Sequence, residues 1–559
     1  MYSKDSLLGS FQPNGGEDGA PILPSDSKYF HHISRELAKE RHQLYNRMCS
    51  ILEDVEFVDA VRVLYGGLPV LANLRCGAWY APTRDDCCYF KSTDGHHGNW
   101  SFSLVRLNLN VVEWCAAKGG CLIVDATRKG KKFPDAMNKT IPIWAAVINR
   151  AAARLDPRRK RMSEWDTSLH FPIWVTDSET NQVEERLDGW VDSLLALGTD
   201  LENLLQKLDK PLRPLWISPS STLTHDMDTS QLHFSPIVLV SASKQDAGAR
   251  RNSSCPGVQG WPYVYVPGAG DDEESWALGL KPTILWAHHQ DLVECGPHNI
   301  ESRVSHLVEE SHSNGITTQG SRLPGLCVAT DSHHLVPKGC SSVGNHPHMQ
   351  EHGFFWIGRS NLALGNFEAG RPLGIWSHVD AVLNCGSKEH ESLKMERVPS
   401  GEENNDAHGE LPGRYMWCPI DCSKRDKAAL KRKLPAVLEF LSSKLDAGCR
   451  VLVHDDEGSD ACVCITVAVL LMCFSEKSNT EEAGGSSDLR FCQKFGEFDE
   501  VSIATARKVT KDAVRRRLGF VTSWYSDGRP TRGMLKQVFN FFFEMGRTGS
   551  TSPTCEKEK

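Results

Sequence analysis

Gly119–Trp144 reads GGCLIVDATRKGKKFPDAMNKTIPIW. Cys121–Val124 is a short apolar run with β-branched members, the pattern of a buried strand. It runs into a Gly-interrupted loop with five cations, Arg128, Lys129, Lys131, Lys132 and Lys139, against two carboxylates, Asp125 and Asp135. In open α/β sheets ligands sit outside the carboxyl ends of the strands, and clustered Lys and Arg there suit phosphate groups. A purely solvated basic loop has the same composition. Around this stretch, apolar residues at helical spacing (Ile33, Leu37, Leu44, Met48, Leu52) predict an opening helix. Further helices are expected over Leu104–Ala117, Pro142–Leu155 and Arg186–Leu208, and strands over Pro236–Ser241 and Tyr263–Val266. Alternating strand and helix favours an α/β layer architecture.

The 559 residues are enough for two cores, and 40% apolar with 24% charged residues is an ordinary globular composition, so disorder is expected only in tails and insertions. A net charge of −8 gives no global nucleic-acid signal, which leaves RNA binding to local basic patches. The N-terminal stretch lacks the apolar core of a signal peptide, and no run of about 20 apolar residues exists to span a membrane, so a cytoplasmic protein with no membrane partner is expected. The 19 cysteines are scattered and often sit inside apolar runs, as reduced buried thiols do. His288, His289, Cys295 and His298 crowd together, but no pair of C-x-x-C knuckles supports structural zinc. The expected organisation is a disordered tail over 1–25, a first domain over 26–310, a linker over 311–353, a second domain over 354–547 with insertions at 386–413 and 475–488, and a tail over 548–559.

The opening segment, with Lys91–Leu109 (KSTDGHHGNWSFSLVRLNL), NLRCGAWY from Asn73, PLWISPSS from Pro214 and PYVYVPGAGDDEESWALGLKPTILW from Pro262, closely resembles the family of initiator tRNA 2'-O-ribosyl phosphate transferases. The resemblance implies transfer of ribosyl phosphate from phosphoribosyl pyrophosphate to the ribose 2'-hydroxyl of nucleotide 64 in the T stem of cytosolic initiator tRNA, which keeps that tRNA out of elongation. Such a displacement at an anomeric carbon requires gripped phosphates and an oriented hydroxyl. On that reading Arg128, Lys131, Lys132 and Lys139 are expected to hold donor phosphates, and Asp125 and Asp135 to accept the hydroxyl proton or ligate Mg²⁺. Asp94, His96 and Arg106 join the substrate site by resemblance. Asp271 and Asp272 in the PGAGDD turn suit either metal binding or turn-making. The basic runs containing Arg158, Arg159 and Arg161, and Arg515, Arg516 and Arg517, are candidate RNA contacts, since duplex RNA is read by shape, phosphates and 2'-hydroxyls.

From Phe355 the order FWIGRSNLAL, VDAVLNCGS, WCPIDCSKRD, a helix at Lys431–Leu445 and a strand at Arg450–Val453 resembles the dual-specificity phosphatase domain. The strand leads through His454, Asp455, Asp456, Glu457, Gly458, Ser459 and Asp460 into an apolar helix, a loop of anion-nest type in which His454, Gly458 and Asp460 are expected to meet substrate. In the phosphatase pattern H-C-x-x-G-x-x-R the Cys position is Asp455 and the Arg position Ala461, so both reagents are missing, while Asp421 stands where the general acid is. The overall expectation is a two-domain α/β enzyme, an α/β transferase domain followed by a phosphatase-like one. Its rivals are an active phosphatase and a catalytically inactive phosphatase-like tRNA-binding protein.

Overall fold

The structure is a computed structural model. It describes residues 26–128, 130–162, 164–196, 201–222, 228–245, 250–251, 254–255, 258–259, 261–313, 353–358, 360–371, 374–390, 393, 413–422, 426–475, 490–491, 509–525 and 527–548. The tails, most of the expected linker and most of both insertions lie outside the described residues.

The first unit is built on five parallel strands, β1 (Val70–Asn73), β2 (Asp86–Cys88), β3 (Cys121–Asp125), β4 (Leu212–Ile217) and β5 (Ser235–Ser241), in the order β2-β1-β3-β5-β4. Their side chains alternate between two cores. Leu71, Cys121, Ile123, Ile237 and Leu239 face one side, and Val70, Ala72, Leu122, Val124, Val238 and Val240 the other. A parallel sheet apolar on both faces must be covered on both. Helices α2 (Leu109–Lys118), α3 (Ile141–Leu155), α4 (Pro157–Arg161), α5 (Asp177–Leu195) and α6 (Leu201–Gln206) lie in order between β2 and β4, and α2, α3, α5 and α6 contribute to the first core; α1 (Asp26–Leu64), α7 (Pro282–Glu294) and α8 (Gly296–Ser313) contribute to the second.

Three expectations shift. The helix expected from Leu104 begins at Leu109, because Asn108 takes φ 50° and uses its side chain to hold Tyr89, accepting from the Tyr89 N–H at 2.8 Å. The helix expected at Arg186 starts nine residues earlier, at Asp177, where Thr176 caps it by accepting from the Glu179 N–H at 3.3 Å. The strand near Tyr263 is only Tyr263–Val264, paired antiparallel with Arg250–Arg251.

The second unit has strands β6 (Phe354–Trp356), β7 (Leu362–Gly365), β8 (Ala381–Asn384), β9 (Tyr415–Trp417) and β10 (Val451–His454) in the order β6-β7-β10-β8-β9, with β6 antiparallel and the rest parallel. Helices α9 (Ala429–Asp446), α10 (Ala461–Cys473), α11 (Lys511–Trp524) and α12 (Arg532–Thr548) enclose its main core. Every residue of α10 is buried, so a helix apolar all round is enclosed on all sides.

Candidate functional site

In the order β2-β1-β3-β5-β4, the chain leaves β1 toward opposite sides at β2 and β3, and the crevice at their carboxyl ends is where an α/β sheet receives ligands. Asp125 closes β3 at that point and is fully buried. Its Oδ2 accepts from Asn73 Nδ2 at 2.8 Å and Arg75 Nε at 3.2 Å, and its Oδ1 from the Ala126 N–H at 2.8 Å and Cys76 Sγ at 3.0 Å. Arg75 continues to Asp271 Oδ1 at 2.8 Å and to the Ala126 carbonyl. Burial works against the Arg75 charge, and Asp125 and Asp271 outweigh it, keeping the guanidinium protonated. Burial, reinforced by Asp125, pushes the Cys76 thiol well above its usual range, so it stays a donor.

Three sequence stretches therefore lock together: the NLRC turn, the end of β3 and the PGAGDD turn. The packing leaves no space for larger residues. A Cβ on Gly77 would lie 2.0 Å from the Val124 carbonyl oxygen, and one on Gly268, already at φ 65°, 2.5 Å from the Thr127 carbonyl carbon. Asp125, expected as a proton acceptor or metal ligand, has its acceptor positions filled from inside the protein and serves to position Arg75 and the turn. Asp271 is engaged by Arg75 and Asp272 is exposed, and among the described residues no group of three or more His, Cys, Asp or Glu stands ready for a metal. Asp271 thus anchors the turn through Arg75.

Above this floor the basic loop emerges. Arg128, Lys131 and Lys132 are exposed, and the Lys132 carbonyl is fixed by Ser241 Oγ at 2.8 Å. Asp135 Oδ2 accepts from Lys131 Nζ at 2.9 Å and lies 3.3 Å from His96 Nε2. His96 reaches it because Gly95 packs against the Asp135 carbonyl, where a Cβ would come within 2.8 Å. The arrangement brings together three exposed cations and a partly exposed carboxylate–imidazole pair. Lys139 does not join them. Its Nζ lies 2.6 Å from Glu179, which also accepts from Trp100 Nε1 at 2.7 Å.

Asp94 and Arg106 pair at 2.7 Å, and Arg106 lines a cleft between the two units. The cleft is lined by Tyr89, Arg106 and Asn108 on one side and Thr522, Gly528 and Arg529 on the other. Arg529 spans it: its guanidinium reaches the Cys87 carbonyl at 3.4 Å while its N–H donates to the Ser459 carbonyl at 2.9 Å.

Ser459 belongs to the loop after β10, where the nest is already filled. Asp455 is 5% exposed, and its Oδ1 accepts from the N–H of Glu457 at 3.1 Å and of Gly458, while Oδ2 accepts from that of Cys462 at 2.9 Å. The donors that would face a bound phosphate hold the protein's own carboxylate instead. Asp456 accepts from the Ser387 N–H at 2.9 Å, and Asp460 from that of Thr531 at 3.1 Å.

Residues 37–309 match the family model described as the Rit1 N-terminal domain, and residues 414–542 the one described as the Rit1 DUSP-like domain. An uncharacterized protein of Schizosaccharomyces pombe is 38% identical over 328 residues, 57% of this chain and 67% of that protein. The chain belongs to the Rit1 family. The tRNA A64-2'-O-ribosylphosphate transferase of Saccharomyces cerevisiae is 36% identical over 279 residues, 46% of this chain and 52% of the yeast protein, so the chain spans about half the length of that relative. Among solved structures, human DUSP28 covers 34% of the chain and 94% of its own at 13% identity and TM-score 0.22, and the Yvh1 phosphatase domain of Chaetomium thermophilum 35% and 96% at 18% and 0.23.

Several residues expected to meet substrate are structural in this Rit1 chain. His454 is fully buried beside His390, 5.1 Å between ring centroids, and burial followed by His390 pushes it down to about 3, so it is neutral and enclosed. Gly458 is buried at φ 71°, where a Cβ would sit 2.5 Å from the Tyr525 hydroxyl, and Asp460, raised to about 6 by burial, anchors Thr531. Arg159 is buried, donating to the carbonyls of Leu205, Gln206 and Leu208 at 2.7–3.0 Å, and Arg517 donates to those of Leu470 and Phe474 at 3.2 and 3.1 Å. Both hold helices together and are withdrawn from the RNA-facing set. Arg158 is exposed and paired with Asp156, Arg515 is exposed and paired with Asp512, and Arg516 is half-buried. The Arg161 side chain lies outside the described residues. Local sequence reading missed Arg75, Cys76 and Glu179. The NLRCGAWY stretch was the available signal for the first two, and the T-x-x-E helix start for the third.

Proposed function

We propose that this chain is a tRNA-modifying pentosyltransferase that moves ribosyl phosphate from phosphoribosyl pyrophosphate to the 2'-hydroxyl of nucleotide 64 of initiator tRNA in the cytoplasm, blocking its use in elongation. The observation that carries the placement is the exposed trio Arg128, Lys131 and Lys132 at the carboxyl end of β3, beside Asp135 and His96 and on a floor locked by Asp125 and Arg75. In the reaction the acceptor oxygen bonds to the anomeric carbon, the bond from that carbon to pyrophosphate breaks, and pyrophosphate leaves with the electron pair. Arg128 and Lys131 neutralise the phosphates and the charge developing on the leaving group. The Asp135–His96 pair takes the hydroxyl proton, a role within reach because it is partly open to solvent where Asp125 is not.

The DUSP-like unit lends shape rather than chemistry. Its Cys and Arg positions are Asp455 and Ala461, its nest is filled by Asp455, and Arg529 links its loop to the first sheet at Cys87. No helix of the described residues is long and apolar enough to cross a membrane. Incubating the purified chain with initiator tRNA and phosphoribosyl pyrophosphate labelled in the ribose, then mapping the label by nuclease digestion, tests the reading. Label on a single T-stem nucleotide is expected; unlabelled RNA refutes it.

A further inference from the structure

Beside the basic loop is an aromatic surface that the transfer reaction leaves unexplained. Pro172–Val175 forms a turn, closed by the Val175 N–H to the Pro172 carbonyl at 3.0 Å, and its tip carries Ile173 at 98% and Trp174 at 50% exposure. Trp174 is not loose. Its ring stacks on Phe133, 5.5 Å between centroids and 12° from parallel, and its Nε1 donates to Asn138 Oδ1 at 3.2 Å. Phe133, itself buried, lies next in sequence to Lys132, whose ammonium sits 5.9 Å from the same ring. One face of a rigidly held indole is thus spent on Phe133, and the residue remains half exposed, with the Lys132 ammonium against the same Phe133 ring.

Charge decides the occupant. Lys132 is exposed, lies against the Phe133 ring on which the indole stacks and has no carboxylate partner among the described residues, so a cation adjoins the indole. An apolar protein partner has no use for that charge. A nucleotide uses both, since the base supplies a flat face and the phosphate the anion. We infer that Trp174 is a stacking platform for an unpaired nucleobase of the RNA acceptor, with Lys132 on the adjoining phosphate. This rests on the reading that the acceptor is RNA, and it adds that recognition includes a base taken out of the helical stack.

The test uses the full chain and reads binding by fluorescence anisotropy at several salt concentrations, without donor. The probes are an initiator tRNA transcript, a single-stranded oligoribonucleotide and its abasic counterpart. Trp174→Ala is expected to weaken tRNA and oligonucleotide binding about 5- to 150-fold, the range spanned by stacking of one base, with the salt slope unchanged. Trp174→Phe stays within about threefold because it keeps a ring. Lys132→Ala lowers the salt slope by about one. The abasic oligomer binds wild type and Trp174→Ala alike. Equal tRNA affinities for Trp174→Ala and wild type overturn the inference, as does an equal loss on the abasic oligomer. Because no transfer is needed, a Trp174 effect in a protein that transfers nothing sinks the proposed reaction and leaves the platform standing.

Discussion

Asp455→Ala should turn the second unit into an oxyanion binder. The carboxylate accepts three backbone N–H groups, from Glu457, Gly458 and Cys462, the last at the first turn of α10. Hydrogen bonds to a charged group contribute about 1.5–3 kcal/mol each, but water entering the opened nest offsets most of that, leaving a net loss of about 2–4 kcal/mol. Phosphate refills the same donors with help from the helix N-terminus. Its dissociation constant should be millimolar, since Asp456, Glu457 and Asp460 remain nearby. At fifty times that constant the stabilisation is about 2.3 kcal/mol, or roughly 5–9 °C in Tm for a unit of this size. Titration calorimetry with phosphate or tungstate should show one more site in the variant than in wild type, and scanning calorimetry the extra upshift. A variant with no additional site, or a wild type that takes up the same anion in this loop, refutes the idea that Asp455 fills the nest.

Arg75→Ala leaves Asp125 as an uncompensated buried charge and should cost about 3–5 kcal/mol in denaturant unfolding, along with transfer activity; Arg75→Lys should recover only part of either, lacking the fork that reaches Asp125 and Asp271 together. Burial raises Asp54 to about 7, against hydrogen bonds from Tyr265 and Ser243, so its contribution to stability is full below about pH 4 and is lost as pH rises through 7. At about 1.4 kcal/mol per unit the loss reaches roughly 4 kcal/mol by pH 8, and Asp54→Asn should flatten that slope in urea unfolding between pH 4 and 8. Arg159→Ala should lower Tm by removing three bonds to the end of α6 and the turn after it, whereas Arg158→Ala should leave Tm unchanged; equal effects would contradict the separation of the two.

Much of this was legible along the chain because it is local. Cys121–Val124 reads as a buried strand from its apolar run, and the structure adds only Asp125 to it. The loop from His454 to Asp460 shows its missing thiol and guanidinium at once, since each occupies a fixed offset from Gly458. What escaped is what depends on distant partners. Asp125 looks like a reactive acid until Arg75, fifty residues upstream, is placed on it, and Lys139 looks like a phosphate ligand until Glu179 arrives from α5. The basic runs failed for a periodic reason. In Pro157–Arg161 and Lys511–Trp524 the helical repeat turns one arginine, Arg159 or Arg517, toward the core while Arg158 and Arg515 stay outside. Trp174 gave no periodic signal at all, since a turn tip has none.

The basic loop after β3, and not the DUSP-like loop, is proposed to handle the donor. Transfer of labelled ribosyl phosphate to initiator tRNA should be compared in wild type, the Arg128→Ala/Lys131→Ala double variant and Asp455→Ala, each checked for folding by circular dichroism. Wild type and Asp455→Ala should transfer label, and the double variant should lose the transfer. Transfer that survives the double variant and fails in Asp455→Ala would contradict it.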